Sequence, residues 1–190
     1  MSKVKFNPFL EKLSGSFGDI VFRRVGDRVV LAHKPDLHGV ERTPAQLAQQ
    51  ERFRHATQYA QITLADPLTR QPYQQAFERT GQPVFSIAVG DYLAAPQIEE
   101  LDLAAYTGTV GSLIAVRAHD DFEVTGVQVR LLDTAGTEIE KGPALQQPAG
   151  SGRWVYTARS AVAPGSLVRV EVGATDRPGN RAEQSAEKTV

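Results

Sequence analysis

From residue 97 to the end of the 190-residue chain, apolar and polar side chains alternate with a period of two, and before residue 97 they do not. Segment 97–103 sets Ile98, Leu101 and Leu103 among acids, and 112–119 puts Ile114, Val116 and Ala118 on one face. Segment 124–131 does the same with Val127, Val129 and Leu131. Residues 137–139 read as a short edge strand, and 153–157 carries the lone tryptophan, Trp154, on the side of Tyr156. Val168, Val170 and Val172 share one side of 167–174, with Arg169 and Glu171 on the other, and a last strand is expected over 181–188. Strict alternation with one wet face marks antiparallel sheets. Between the runs stand Thr134-Ala135-Gly136, Ala149-Gly150-Ser151-Gly152, Ala163-Pro164-Gly165 and Arg177-Pro178-Gly179-Asn180, which accept positive φ or preset a bend. About seven short strands in ~95 residues predict a sandwich of two sheets.

The first half has a different rhythm. Residues 19–24 and 28–33 flank Val25-Gly26-Asp27 and read as a β-hairpin. A two-stranded hairpin is marginal in water, so a helix, the sandwich or another subunit must cover it. Thr43 then offers a helix cap, Pro44 a first helical residue and Gln46 the third position of a capping box. Leu47, Phe53, Ala56, Tyr59, Ala60 and Leu64 broadly follow one face of a helix that should stop before Asp66-Pro67. A shorter helix is expected over 72–79, ended by Gly81, and a third over 84–93 that contains Gly90.

Composition sharpens this division. The chain has 21 basic and 22 acidic side chains, no cysteine and a net charge of −1, with no basic excess of the kind nucleic-acid binders carry. Up to residue 95 there are 12 basic and 9 acidic residues; after it there are 9 and 13, and seven of the eight phenylalanines precede the break. The expected organisation is an α+β two-domain chain, with residues 1–95 forming a hairpin-and-helix domain and residues 96–190 an all-β sandwich. Opposite net charges favour head-to-tail contact between copies. Asn7, Pro8, Glu11 and Lys12 interrupt the apolar run that a secretory signal needs, and no stretch reaches the ~18–20 apolar residues of a membrane span. The expectation is a protein without a secretory signal, cytoplasmic or incorporated in a particle.

Two resemblances refine the picture. The runs Gly111 to Asp121, Val124 to Leu131, Gly152 to Ala158 and Val168 to Asn180 resemble bacterial immunoglobulin-like domains. In that family a stretch like Val172-x-Ala174-x-Asp176-x-x-Gly179-Asn180 forms the penultimate strand and its following turn. The resemblance implies an immunoglobulin-like sandwich, a fold used for spacing, adhesion, decoration and assembly. Separately, Leu13 to Arg24, followed by the hairpin, Thr43-Pro44-Ala45-Gln46 and a helix carrying Arg52 and Phe53, resembles the start of some structural proteins of phages and phage-like particles.

Little in the chain points to catalysis. There is no phosphate-binding glycine loop and no Gly-x-Ser-x-Gly, and zero cysteine removes thiolate metal sites and cysteine nucleophiles. His33, His38, His55 and His119 lack metal spacing and read as surface or packing residues. Glu99 and Glu100 are adjacent on a strand, so they point to opposite faces and read as a solvated edge. The immunoglobulin-like topology implied above brings the loop holding Asp120 and Asp121 to the same pole as Asp176 and Asn180. Those oxygens are either a calcium site or local backbone bonds that hold two turns. At the other end Val4, Phe6, Phe9, Leu10 and Leu13 are too apolar for an idle tail; they pack on the chain's own core or dock on a neighbour. Phe22, Arg23, Arg24 and Arg28 mark the hairpin as a second contact surface. The leading expectation is a non-enzymatic structural protein, with neither catalytic nor cofactor-binding residues, that self-assembles or joins a larger, phage-like particle. The alternative is a protein- or carbohydrate-binding module that uses the loops of the Asp120/Asp176 pole.

Overall fold

The computed structural model of the protein describes residues 15–25, 28–36 and 41–190. Phe6, Phe9, Leu10 and Leu13, expected as a docking arm, lie outside these residues. The fold is mixed α+β and rich in β, with three helices and three antiparallel sheets among the described residues. It divides into two compact units, 1–44 and 45–190.

The first unit holds a three-stranded sheet of β1 (Gly15–Phe17), β2 (Ile20–Val25) and β3 (Arg28–His33), in that order. The β2–β3 pairing, Ile20 opposite His33 through Val25 opposite Arg28, is the hairpin expected from the sequence. Strand β1 is an addition to it. Gly18, at φ 58°, takes the left-handed conformation that lets a two-residue turn return β1 onto β2, with Phe17 opposite Ile20.

The second unit begins with α1 (Pro44–Ala65), α2 (Pro67–Thr80) and α3 (Val84–Leu93). Asp66 ends one helix and caps the next, its carboxylate accepting from the Leu68 N–H at 3.1 Å, with Pro67 in the first turn. Helix α2 therefore starts five residues before the expected Pro72, which sits inside it and forfeits one backbone bond. Gly81, at φ 71°, stops it as expected, its N–H bonded to the Phe77 carbonyl at 2.7 Å.

Eight strands follow: β4 (Gln97–Asp102), β5 (Leu113–His119), β6 (Val124–Leu132), β7 (Glu138–Pro143), β8 (Leu145–Gln146), β9 (Arg153–Thr157), β10 (Leu167–Asp176) and β11 (Arg181–Thr189). They form two four-stranded sheets, ordered β4-β5-β9-β8 and β11-β10-β6-β7. Ile114, Val116 and Ala118 with Trp154 and Tyr156 face Val127, Val129, Leu131, Val168, Val170, Val172 and Ala174 in one core. Burying each valine contributes about 1.5–3 kcal/mol, so the alternation seen in the sequence is also the main source of stability. The chain changes sheet between β7 and β8 across a single residue, Ala144, whose N–H bonds to the Val127 carbonyl at 2.8 Å.

The helices share their compact unit with the sandwich and not with the hairpin. The cause is burial. Ala56, Ala60, Tyr73, Ala88 and Val89 make a helical core into which Phe122, from the β5–β6 loop, is packed. Pro96 lies at the passage from α3 to β4.

Candidate functional site

Two regions hold the residues that the sequence singled out: the pole of the sandwich beneath the helices, and the exposed apolar side chains of α1 and of the small sheet.

At the pole, Asp176 is buried at the end of β10. One of its oxygens accepts from the Gly179 and Asn180 N–H groups at 2.8 and 2.6 Å, and the other from the Asn180 side-chain amide at 2.7 Å. The same amide donates to the carbonyls of Tyr92 and Ala94, at 3.2 and 2.8 Å, tying the turn to the end of α3. Asp120 accepts from the N–H groups of Phe122 and Glu123 at 2.8 and 3.2 Å, and Asp121 is exposed. Asp120, Asp121, Asp176 and Asn180 do come to one pole, but backbone and amide donors hold both Asp176 oxygens and one of Asp120's. Among the described residues no group of three or more acidic or histidine side chains is placed to hold a metal ion. Phe122 of the first loop packs into the helical core, while Asp121, Glu123 and Gly179 stay exposed.

The group that the sequence reading missed is Asp91. It is 2% exposed on the mostly apolar α3. Tyr73 donates a short hydrogen bond to its Oδ2 and is itself joined to the Tyr59 hydroxyl at 2.9 Å. The Tyr73 ring stacks on Phe122, with centroids 4.6 Å apart. Burial pushes the Asp91 carboxyl up to about 6; Asp120 and Asp176 push the same way, while the Tyr73 bond and Arg177 oppose. Burial, then the bonds to Asp91 and Tyr59, also raises Tyr73. The available signal was one acid within a ten-residue apolar helix, a placement that demands a partner.

Other polar candidates resolve into surface pairs. Glu99 bonds His119 at 3.3 Å and Glu100 meets Arg117 at 3.7 Å, all four half exposed. The outer face of the β11-β10-β6-β7 sheet holds a hollow of about 760 Å³ around Gly173, rimmed by Arg130, Lys141, Arg169, Arg181, Glu171 and Glu183. Arg130 pairs with Glu138 at 2.7 Å and with Glu171 at 3.4 Å.

The apolar region is different. In α1, Phe53, Ala56 and Ala60 form one stripe at spacings of three and four residues. Ala56 and Ala60 are fully buried, yet Phe53 is 52% exposed, so the stripe runs on past its cover. No residue from 44 to 55 is buried. Leu47 and Ile62 are exposed on another side of α1, as are Leu68 and Phe77 on α2. In the first unit Phe17 is 81% exposed, with Val30 and Leu31 also open. Of the residues expected at the hairpin surface, Phe22 is half-buried and Arg23 exposed, while Arg24 and Arg28 lie in β2 and β3.

No family model and no curated protein matches the chain. Solved structures do. CopC from Methylosinus trichosporium OB3b is 19% identical and aligns 48% of this chain with 89% of its own, at a TM-score of 0.37. A tetra-tandem repeat from the extending region of a large adhesion protein is 22% identical over 50% of this chain and 23% of its own, at 0.34. BhCBM56 is 13% identical over 44% of this chain and 85% of its own, at 0.31. All three are β-rich domains. No helix among the described residues is long and apolar enough to cross a membrane.

Proposed function

We propose that the protein is a non-enzymatic structural component that assembles with copies of itself, or onto a larger phage-like particle, through its small N-terminal sheet and helix α1. The sandwich serves as a stiff body that carries contacts outward. The reading rests on one observation: the apolar stripe of α1 continues through Phe53 beyond its cover, on a stretch from 44 to 55 with no buried residue. An isolated helix of that length is marginal in water, and so is a small sheet with Phe17 and Leu31 exposed. A partner chain supplies what both lack. The strand order supports an immunoglobulin-like body, since β4-β5-β9-β8 and β11-β10-β6-β7 correspond to ABED and C′CFG sheets.

Mass photometry and sedimentation velocity test this. Species larger than the 20.7 kDa chain are expected, and Leu47→Gln with Phe53→Gln should return them to monomer. A wild-type protein that stays monomeric at tens of micromolar, with no partner in its native particle, overturns the reading.

A second reading is a binding module that uses the hollow around Gly173 on the outer face of the sheet. A Cβ at Gly173 meets nothing within 4 Å, so Gly173→Leu would fill the hollow without straining the strand. Glycan-array binding that survives this substitution would remove the reading.

A further inference from the structure

The outer face of the β11-β10-β6-β7 sheet is polar, and the strand register sets its side chains in rows. Glu183, Gly173 and Gln128 share one row. Ser185, Glu171, Arg130 and Lys141 share the next. On the other side of Gly173, Thr175 stands between Arg181 and Gly126. A Cβ at Gly173 or Gly126 would meet nothing within 4 Å, so bare backbone floors this part of the sheet while long side chains stand around it. The hollow of about 760 Å³ results. Volumes of about 300–1,000 Å³ hold small-molecule ligands.

The rim has four cations, Arg130, Lys141, Arg169 and Arg181, against two carboxylates, Glu171 and Glu183. That reverses the sign of the surrounding unit, where residues 45–190 hold 13 basic and 17 acidic side chains. Glu171 is shared by Arg130 at 3.4 Å and Arg169 at 3.8 Å, so one carboxylate stands against two guanidiniums. Lys141 and Arg181 make no ion pair among the described residues. They sit at diagonal corners of the hollow, with their Cα atoms roughly 20 Å apart from strand spacing and rise per residue.

We propose that this hollow binds an acidic oligosaccharide, a linear chain of carboxylated sugars laid over Gly173 between Lys141 and Arg181. The proposal rests on the binding-module reading above and names its ligand class. Carboxylates of the sugar chain meet the two unpaired cations, and its hydroxyls meet Gln128, Thr175 and Ser185. An acidic peptide fits less well. Strands β10 and β6 beneath the hollow are paired on both sides, so no peptide can add there as a further strand. Among the described residues no aromatic ring lines the hollow, so a neutral sugar finds no ring to stack on, and charge must supply the preference. Beyond the Arg130–Glu171 pair the trough continues as a second hollow of about 500 Å³, where Asp133 and Glu187 join the lining. Their charge confines an anion to the Gly173 side.

Isothermal titration calorimetry of the full chain tests this with oligogalacturonate, a neutral cello-oligosaccharide of equal length, and poly-glutamate. At 50 mM NaCl only oligogalacturonate should bind, and its affinity should fall several-fold at 300 mM as screening sets in. Lys141→Ser with Arg181→Ser should weaken it about tenfold or more, and Gly173→Leu should abolish it. Glu183→Gln should tighten it, because Glu183 is the rim acid that makes no ion pair among the described residues. A gain in affinity is a result that mere damage to the fold does not give. Equal binding of the neutral oligosaccharide overturns the proposal and leaves the binding-module reading standing. Poly-glutamate bound as tightly as oligogalacturonate also overturns it. Absence of oligogalacturonate binding overturns it too, and a silent glycan array beside that result removes the binding-module reading as well. The comparison of three ligands uses the native chain, so it decides even if a variant folds poorly.

Discussion

Asn180 is the residue on which the pole turns. Its amide reaches two carbonyls at the end of α3 and the Asp176 carboxylate, joining helix, turn and strand in one group. Asn180→Ala should cost about 1–3 kcal/mol in urea unfolding, because it strands buried acceptors rather than merely removing a contact. Tyr73→Phe has a different signature. It removes the donor that holds Asp91's carboxyl down, so the variant should lose more stability at pH 7.5 than at pH 5 when both are melted side by side. Gly108 offers a third test. It sits at φ +74°, and an added Cβ would lie 2.6 Å from a Val190 methyl. Gly108→Ala should lower the melting temperature through both backbone strain and displacement of Val190. The turn chemistry of Asp176 and Asn180 was legible in the sequence as one of two readings. The role of Asp91 was not, because the partner that makes it meaningful, Tyr73, lies 18 residues away on another helix.

Among the elements, the valine strands were the most readable, since a period of two leaves few alternatives when one face is buried. The misreadings have physical reasons. Pro72 looked like a helix start, but Asp66 and Pro67 supply a complete N-terminus five residues earlier. Strand β8 has only two residues, too few for any alternation to show. Strand β1 exists because Gly18 permits a tight return, and its three residues are all exposed. Helix α1 carries the functional prediction at this scale. Phe53→Gln should leave the unfolding free energy within about 1 kcal/mol of the wild type, since that ring is half exposed already, while sedimentation velocity should show self-association much reduced.

For the whole molecule, the charge division falls at the boundary of the compact units. Residues 1–44 hold 8 basic and 5 acidic side chains, and residues 45–190 hold 13 and 17. Assembly through unlike units should therefore weaken between about 50 and 500 mM salt, as screening shortens the reach of these charges. The sandwich also has a direction. Strands β4 and β11 both leave the pole tied to the helices: Gln97 lies opposite His119, and Arg181 follows Asn180. They finish together at the far end, where Lys188 donates to the carbonyls of Leu103 and Ala104. Tension applied between the helices and the end of β11 would thus run along the strands. The nine registered pairs of β10 and β11 would be loaded at once in shear instead of opening one after another like a zip. A body built this way yields late and abruptly under a pull along its long axis, and gives way far more easily to one across it.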